Sequence, residues 1–188
     1  MEYSDHDLIV SYLAGDEESL KVLFGRYTND IYNYARRMGG LDDASDITSE
    51  VFIKVWKNLK NFNVKKAGFK TWIFMIARRT IIDYLRKRKN VPLSYLDNEE
   101  SGTSYADSIP DDRTLPDITF DKEIDIKTLN KILESISPPH REVLTLYYQE
   151  DMTFDEIGKV LDKSINTVKS QHRRALISLR EKYQDLSK

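Results

Sequence analysis

Between residues 65 and 89 the chain carries nine lysines or arginines, Lys65, Lys66, Lys70, Arg78, Arg79, Arg86, Lys87, Arg88 and Lys89, against the single Asp83. A local positive excess of that density suits a polyanion. On a helix turning about 100° per residue, Trp72, Arg79 and Arg86 recur every seven residues and form a nearly straight stripe. An exposed indole in line with guanidinium groups can stack on a base while the cations neutralise phosphates. The same residues also fit a partly buried Trp beside a solvated helix end, where cations are favoured without any ligand.

A second polar and cationic set lies near the end of the sequence. Ser164, Asn166 and Thr167 offer short groups for base edges, and Lys169, Ser170, His172, Arg173 and Arg174 follow them with donors for phosphates. A plain helical hairpin with a polar surface is the alternative. In a third set, Asp46, Ser49, Glu50, Lys57 and Lys60 surround Ile53 at helical spacing. One exposed apolar residue usually means nothing, but one ringed by fixed charges suits the anchor of a protein docking face.

Helices must position these groups. Apolar residues at spacings of three and four predict helices over 5–13, 17–38, 43–59 and 69–89. Asp16 is expected to cap the second helix, Asp42 or Asp43 the third, and Gly39-Gly40 to end the second. In the fourth, Ile73, Phe74, Ile76, Ala77, Thr80, Ile81, Tyr84 and Leu85 form the core face; in the third, Ile47, Val51, Phe52, Val55, Trp56 and Leu59 do. Residues 91–123 contain Pro92, Gly102, Pro110 and Pro116 without periodicity, and read as a linker. From Asp97 to Asp125 there are ten acidic residues against Arg113 and Lys122, which fits either a self-repelling spacer or a mimic of a polyanion.

Helices are expected again over 124–136 and after Ser137-Pro138, with Pro139 in the first turn. Thr153 and Glu156 make a capping box, and Ser164 caps a further helix over 165–179. The two helices flank Asp162, a residue type that tolerates the left-handed conformation a helix-turn-helix needs. The expected architecture is all-α: a helical domain over 1–90, an acidic linker over 91–123, and a helix-turn-helix domain over 124–188.

Composition narrows the function. With no cysteine and with His6, His140 and His172 scattered, no disulfide or metal site is expected, and no cofactor. No His, Ser or Gly-rich constellation accompanies the carboxylates, so the chain is expected not to be an enzyme. No apolar run approaches the roughly 20 residues of a membrane span. A cytoplasmic protein is expected. The formal net charge of −2 averages over blocks of opposite sign.

DASDITSEVFIKVWKNLKNF at 43–62, FKTWIFMIARRTIIDYLRKRK at 69–89 and PPHREVLTLYYQEDMTFDEIGKVLDKSINTVKSQHRRALISLREK at 138–182 resemble the extracytoplasmic-function class of bacterial RNA polymerase sigma factors. The resemblance covers nearly the whole chain. It implies a factor that binds core RNA polymerase and directs initiation at promoter DNA. It assigns Asp46, Ser49, Glu50, Ile53 and Lys57 to the polymerase clamp. It assigns Asn61, Phe62, Asn63, Lys65, Lys66, Phe69, Lys70, Thr71, Trp72, Arg79 and Arg86 to recognition and opening of the minus-ten element. Ser164, Asn166, Thr167, Lys169, Ser170, His172, Arg173 and Arg174 would read the minus-thirty-five element. The linker would thread toward the RNA exit channel. Ser49 stands where Gln is frequent, Arg79 where Asn is common, and Asp162-Lys163 where Gly and an apolar residue are usual. Whether an anti-sigma factor covers these faces is left open, and a free-standing helix-turn-helix regulator is the rival reading.

Overall fold

The computed structural model describes residues 3–40, 42–89 and 126–186; the linker expected over 91–123 lies outside them. Every regular element among the described residues is helical. These residues group into two compact units, and the division runs through one short helix: residues 156–163 group with the N-terminal helices, and those from Ser164 onward with the C-terminal ones.

The first unit is built from α1 (Asp5–Leu13), α2 (Glu17–Gly39), α3 (Ala44–Asn58), a 3₁₀ turn (Leu59–Asn61) and α4 (Phe69–Lys89). Asp16 caps α2 as expected, accepting from the Glu18 N–H at 3.1 Å and the Ser19 hydroxyl at 2.6 Å. A second cap is one that the periodicity did not reveal: Ser4 and Asp7 close a capping box at the start of α1. Asp43, by contrast, makes no side-chain cap for α3. Its carboxylate instead accepts from the Tyr84 hydroxyl at 2.8 Å, tying the start of α3 to α4.

The core of this unit is closed by Leu23, Ile31 and Tyr34 of α2, Ile47, Val51 and Val55 of α3, and Ile73, Phe74, Ala77 and Ile81 of α4. Tyr34 and Phe74 meet ring to ring at 5.2 Å. Gly39 is required where α2 meets α3, because a Cβ there would sit 2.9 Å from Ile47 Cδ1. Gly40, at φ 104°, then turns the chain in a conformation open to glycine. α1 is tethered to α2 by Asp5, which receives the Arg26 guanidinium at 2.7 Å and the Tyr27 hydroxyl.

The second unit packs α5 (Ile126–Ser135) and α6 (Pro138–Tyr148) on the long α8 (Ile165–Leu186). Ile132, Ile136, Leu144, Ala175, Leu176 and Leu179 make its core, with Leu133 and Tyr183 against them. The last helix runs well past the expected residue 179. The short α7 (Phe154–Leu161) precedes it, and their connection matches the expected turn: Asp162 adopts φ 57° and the Lys163 N–H bonds the Gly158 carbonyl at 2.9 Å, which closes the end of α7. Ser164 caps α8, its Oγ accepting from the Thr167 N–H at 3.1 Å.

Candidate nucleic-acid and partner-binding surfaces

Of the residues expected on the outer side of α3, the structure exposes Asp46, Ser49, Ile53 and Lys57 and leaves Glu50 half-buried. Ile53 is 50% exposed. Trp56, expected in the core, is 53% exposed instead. The reason is a polar bond, since its Nε1–H donates to the Tyr12 hydroxyl of α1 at 2.7 Å. Being three residues beyond Ile53, it adds a large apolar surface to the same side of the helix. Only its polar end could have hinted at this position.

The stretch from residue 61 to the first turns of α4 forms one aromatic cluster with a cationic rim. Phe62, Phe69 and Trp72 lie with ring centroids 5.2–5.7 Å apart, and Tyr27 of α2 meets Phe69 edge-on at 5.3 Å. Phe69 is only 4% exposed, so it is the floor of the cluster and not a contact surface. Thr71, at 1%, is likewise interior. Both depart from the expected contact set because they fall on the inner arc of α4, where packing claims them. Phe62 and Trp72 are half-buried. Trp72 is therefore neither the free-standing indole of the stripe nor a core residue, but one wall of a ring cluster open on one side. Burial raises the Tyr27 phenol well above its usual range, and its bond to Asp5 adds to the shift.

Around these rings Asn61, Asn63, Lys65 and Lys66 are exposed and Lys70 is half-buried. Asn63 shapes the loop itself: its Oδ1 accepts from the Lys65 N–H and its carbonyl from the Lys66 N–H, each at 3.0 Å. Farther along α4, Arg79 is exposed, and Arg86 is exposed but held to Asp83 at 3.2 Å.

At α8 the expected reading set divides. Ser164, Asn166, Lys169, Arg173 and Arg174 are exposed, while Thr167 and Ser170 are half-buried. The Ser164 and Thr167 hydroxyls engage each other at 2.8 Å, and Arg174 donates to Ser170 Oγ at 2.8 Å. His172 leaves the set. It is 3% exposed, enclosed by Tyr147, Tyr148 and Phe154 at centroid distances of 4.7, 5.6 and 5.2 Å, and its Nε2 has no hydrogen-bond partner. Burial holds the imidazole below its usual pKa, so it is a neutral core ring and not a phosphate cation.

Among the described residues no group of three or more His, Asp or Glu could hold a metal ion, and no helix is long and apolar enough to cross a membrane. Three surfaces stand out among the described residues: the outer side of α3 around Ile53 and Trp56, the ring cluster with its cations at the start of α4, and the polar start of α8.

Residues 23–91 match Sigma-70 region 2, and residues 132–181 match Sigma-70, region 4. The ECF RNA polymerase sigma factor SigW of Bacillus subtilis (strain 168) is 32% identical over 177 residues, covering 92% of each chain. The fold is similar to that of the sigma factor RpoE from Bartonella quintana, solved with the anti-sigma factor NepR, with a TM-score of 0.65 at 19% identity over 89% of this chain and 98% of that one. It is also similar to CnrH, solved with the cytosolic domain of CnrY, with a TM-score of 0.67 at 20% identity over 96% of this chain and 97% of that one.

Proposed function

This chain belongs to the extracytoplasmic-function sigma factors of RNA polymerase, and from that membership we propose how its surfaces divide the work. The protein directs promoter-specific transcription initiation, with core RNA polymerase and promoter DNA as its partners. In the proposal α3 docks the clamp of the polymerase through Asp46, Ser49, Glu50, Ile53 and Lys57, and Trp56 enlarges the apolar centre of that face. Docking patches of this composition, an aromatic or aliphatic anchor within a charged rim, are those that concentrate binding energy.

The minus-ten element is opened at the ring cluster. Extruding a base costs a few kcal/mol and stacking on an aromatic returns about 1–3 kcal/mol, so one half-exposed ring can offset one flipped base. Phe62 and Trp72 are the rings at the rim, and Phe69 packs against both from below. Asn61, Lys65, Lys66, Lys70 and Arg79 then line the path of the displaced strand. The minus-thirty-five element is read from the exposed start of α8 by Asn166, Lys169, Arg173 and Arg174, while Ser164 and Thr167 orient that start through their mutual bond, and Ser170 holds the Arg174 guanidinium. In this proposal residues 1–90 and 124–188 act as the two working modules, with residues 91–123 as the tether between them.

The chain works as an initiation factor in the cytoplasm and supplies no catalysis of its own. Since RpoE and CnrH were each solved with a bound partner, an anti-sigma factor over these faces belongs to the same proposal. The observation that carries the reading is the cationic ring cluster, whose half-exposed rings stand over a buried aromatic floor. In vitro transcription with purified core polymerase on a pool of genomic fragments tests it: discrete start sites that require this chain are expected. Specific duplex binding without polymerase, and no start sites with it, would favour the free-standing regulator.

A further inference from the structure

Glu50 is the half-buried carboxylate of the proposed docking face, and on a bare helix its side chain would sample several rotamers. It does not stand alone. Lys54, one turn later, places Nζ 2.8 Å from Glu50 Oε1. An i,i+4 Glu–Lys pair on a surface is ordinarily a loose, solvated contact. Here the ammonium has a second anchor, because the same Nζ donates to Thr80 Oγ1 of α4 at 3.1 Å.

Thr80 is 1% exposed and its own hydroxyl donates to the Ile76 carbonyl at 2.8 Å, so the acceptor that Lys54 meets is fixed by the core of α4. The Lys54 side chain is itself only 36% exposed. A chain of three polar contacts thus runs from the interior of α4, through an ammonium lying between two helices, to a carboxylate on the outer side of α3. Two of the three ammonium donors are taken by this arrangement.

We propose that Lys54 is a positioning residue for polymerase docking: it holds Glu50 Oε1 from behind, so that Oε2 is pre-aimed at a cationic side chain of the polymerase. This rests on the docking role given to Glu50 above. Ordering a long side chain before association removes a cost that would otherwise fall on binding. Lys54 also links the docking face to α4, the helix that carries Trp72 and Arg79, so the polymerase contact and the strand-opening helix share one polar joint.

The test is a double-mutant cycle on the full chain, reading competition binding to core RNA polymerase. Lys54→Met keeps the aliphatic stem and removes the charge; it should weaken binding about three- to tenfold when Glu50 is present and leave binding nearly unchanged in a Glu50→Gln background. Thr80→Val, which keeps the shape and removes the acceptor, should lose part of the same factor, again only with Glu50 in place. A merely structural Lys54 would shift affinity equally in both backgrounds, and that result, or tighter binding by Lys54→Met, overturns the proposal. If Glu50→Gln lowers affinity and no coupling to Lys54 appears, only the positioning role fails. If Glu50→Gln leaves affinity unaltered, the docking assignment itself is refuted and the Lys54 role with it.

Discussion

Two clusters of four rings, one in each unit, use similar side chains to opposite ends. Tyr27, Phe62, Phe69 and Trp72 gather at the start of α4, and Tyr147, Tyr148, Phe154 and His172 gather against α8. Each holds one ring that helical spacing alone points outward beside arginines, Trp72 in the first and His172 in the second. In the first cluster that ring stays at the rim because Phe69 already fills the floor. In the second, Tyr147 and Phe154 stack at 4.8 Å and His172 completes the interior, while Tyr148 takes the surface. Cations next to an aromatic thus do not by themselves mark a nucleic-acid contact. What decides is whether the inner place is already taken, as Phe69 of the same helix takes it beside Trp72, or falls to the ring itself, as it does to His172.

The sharpest way to break this contrast is to remove floor and wall of the first cluster separately. Phe69→Ala empties a buried ring site and is expected to cost about 3–5 kcal/mol of unfolding free energy, read by denaturant titration. Trp72→Ala should cost less stability. Its larger effect should be on promoter opening, by about 1–3 kcal/mol or about 5- to 150-fold in the opening equilibrium, read by permanganate footprinting of holoenzyme complexes. Equal losses in closed and open complexes would remove the stacking role and make the two clusters alike.

The second cluster should answer to protons instead. His172 has its folded-state pKa lowered by burial relative to the ordinary 6.5, so the neutral form is the one that packs. Stability from this site is fully present above about pH 6.5. It declines as pH falls below that value, because the unfolded chain takes up a proton that the folded chain resists, at no more than about 1.4 kcal/mol per pH unit. Thermal melts from pH 7.5 to 5 should show this decline, and His172→Leu should flatten it. An identical pH profile for the Leu variant would mean that His172 is not the titrating group.

Much of this was legible beforehand, for reasons visible in single residues. Asp16, Gly40, Asp162 and Ser164 each carry a local conformational preference, and a local preference survives folding whatever packs around it. The inner arc of α4 was legible too, since burial follows period. What periodicity could not supply was the identity of neighbours from other helices. Tyr12 draws the polar edge of Trp56 outward, Tyr84 diverts Asp43 from its cap, and Tyr147 with Phe154 claims His172. Phe69 and Thr71 are a different case: their burial follows from the period of α4, but the resemblance assigned the whole segment without regard to which of its side chains face inward.

The finest test of the contrast compares adjacent residues on α8. His172 and Arg173 are consecutive, yet one is enclosed by three aromatic rings and the other is exposed beside Asn166, Lys169 and Arg174 on the polar side of the helix. A phosphate contact releases counterions, so each one adds about 0.9 to the salt slope of binding to duplex DNA. Arg173→Ala should therefore lower the affinity of the holoenzyme for a promoter duplex modestly and reduce that slope by about 0.9, across sequences and without moving the start site. His172→Leu, measured at pH 7.5, should leave the slope where it is. The pair separates charge delivered to DNA from charge excluded by packing: if the two substitutions changed the slope alike, the aromatic enclosure of His172 would not insulate it from the duplex, and the distinction between the two clusters would collapse at its most closely spaced point.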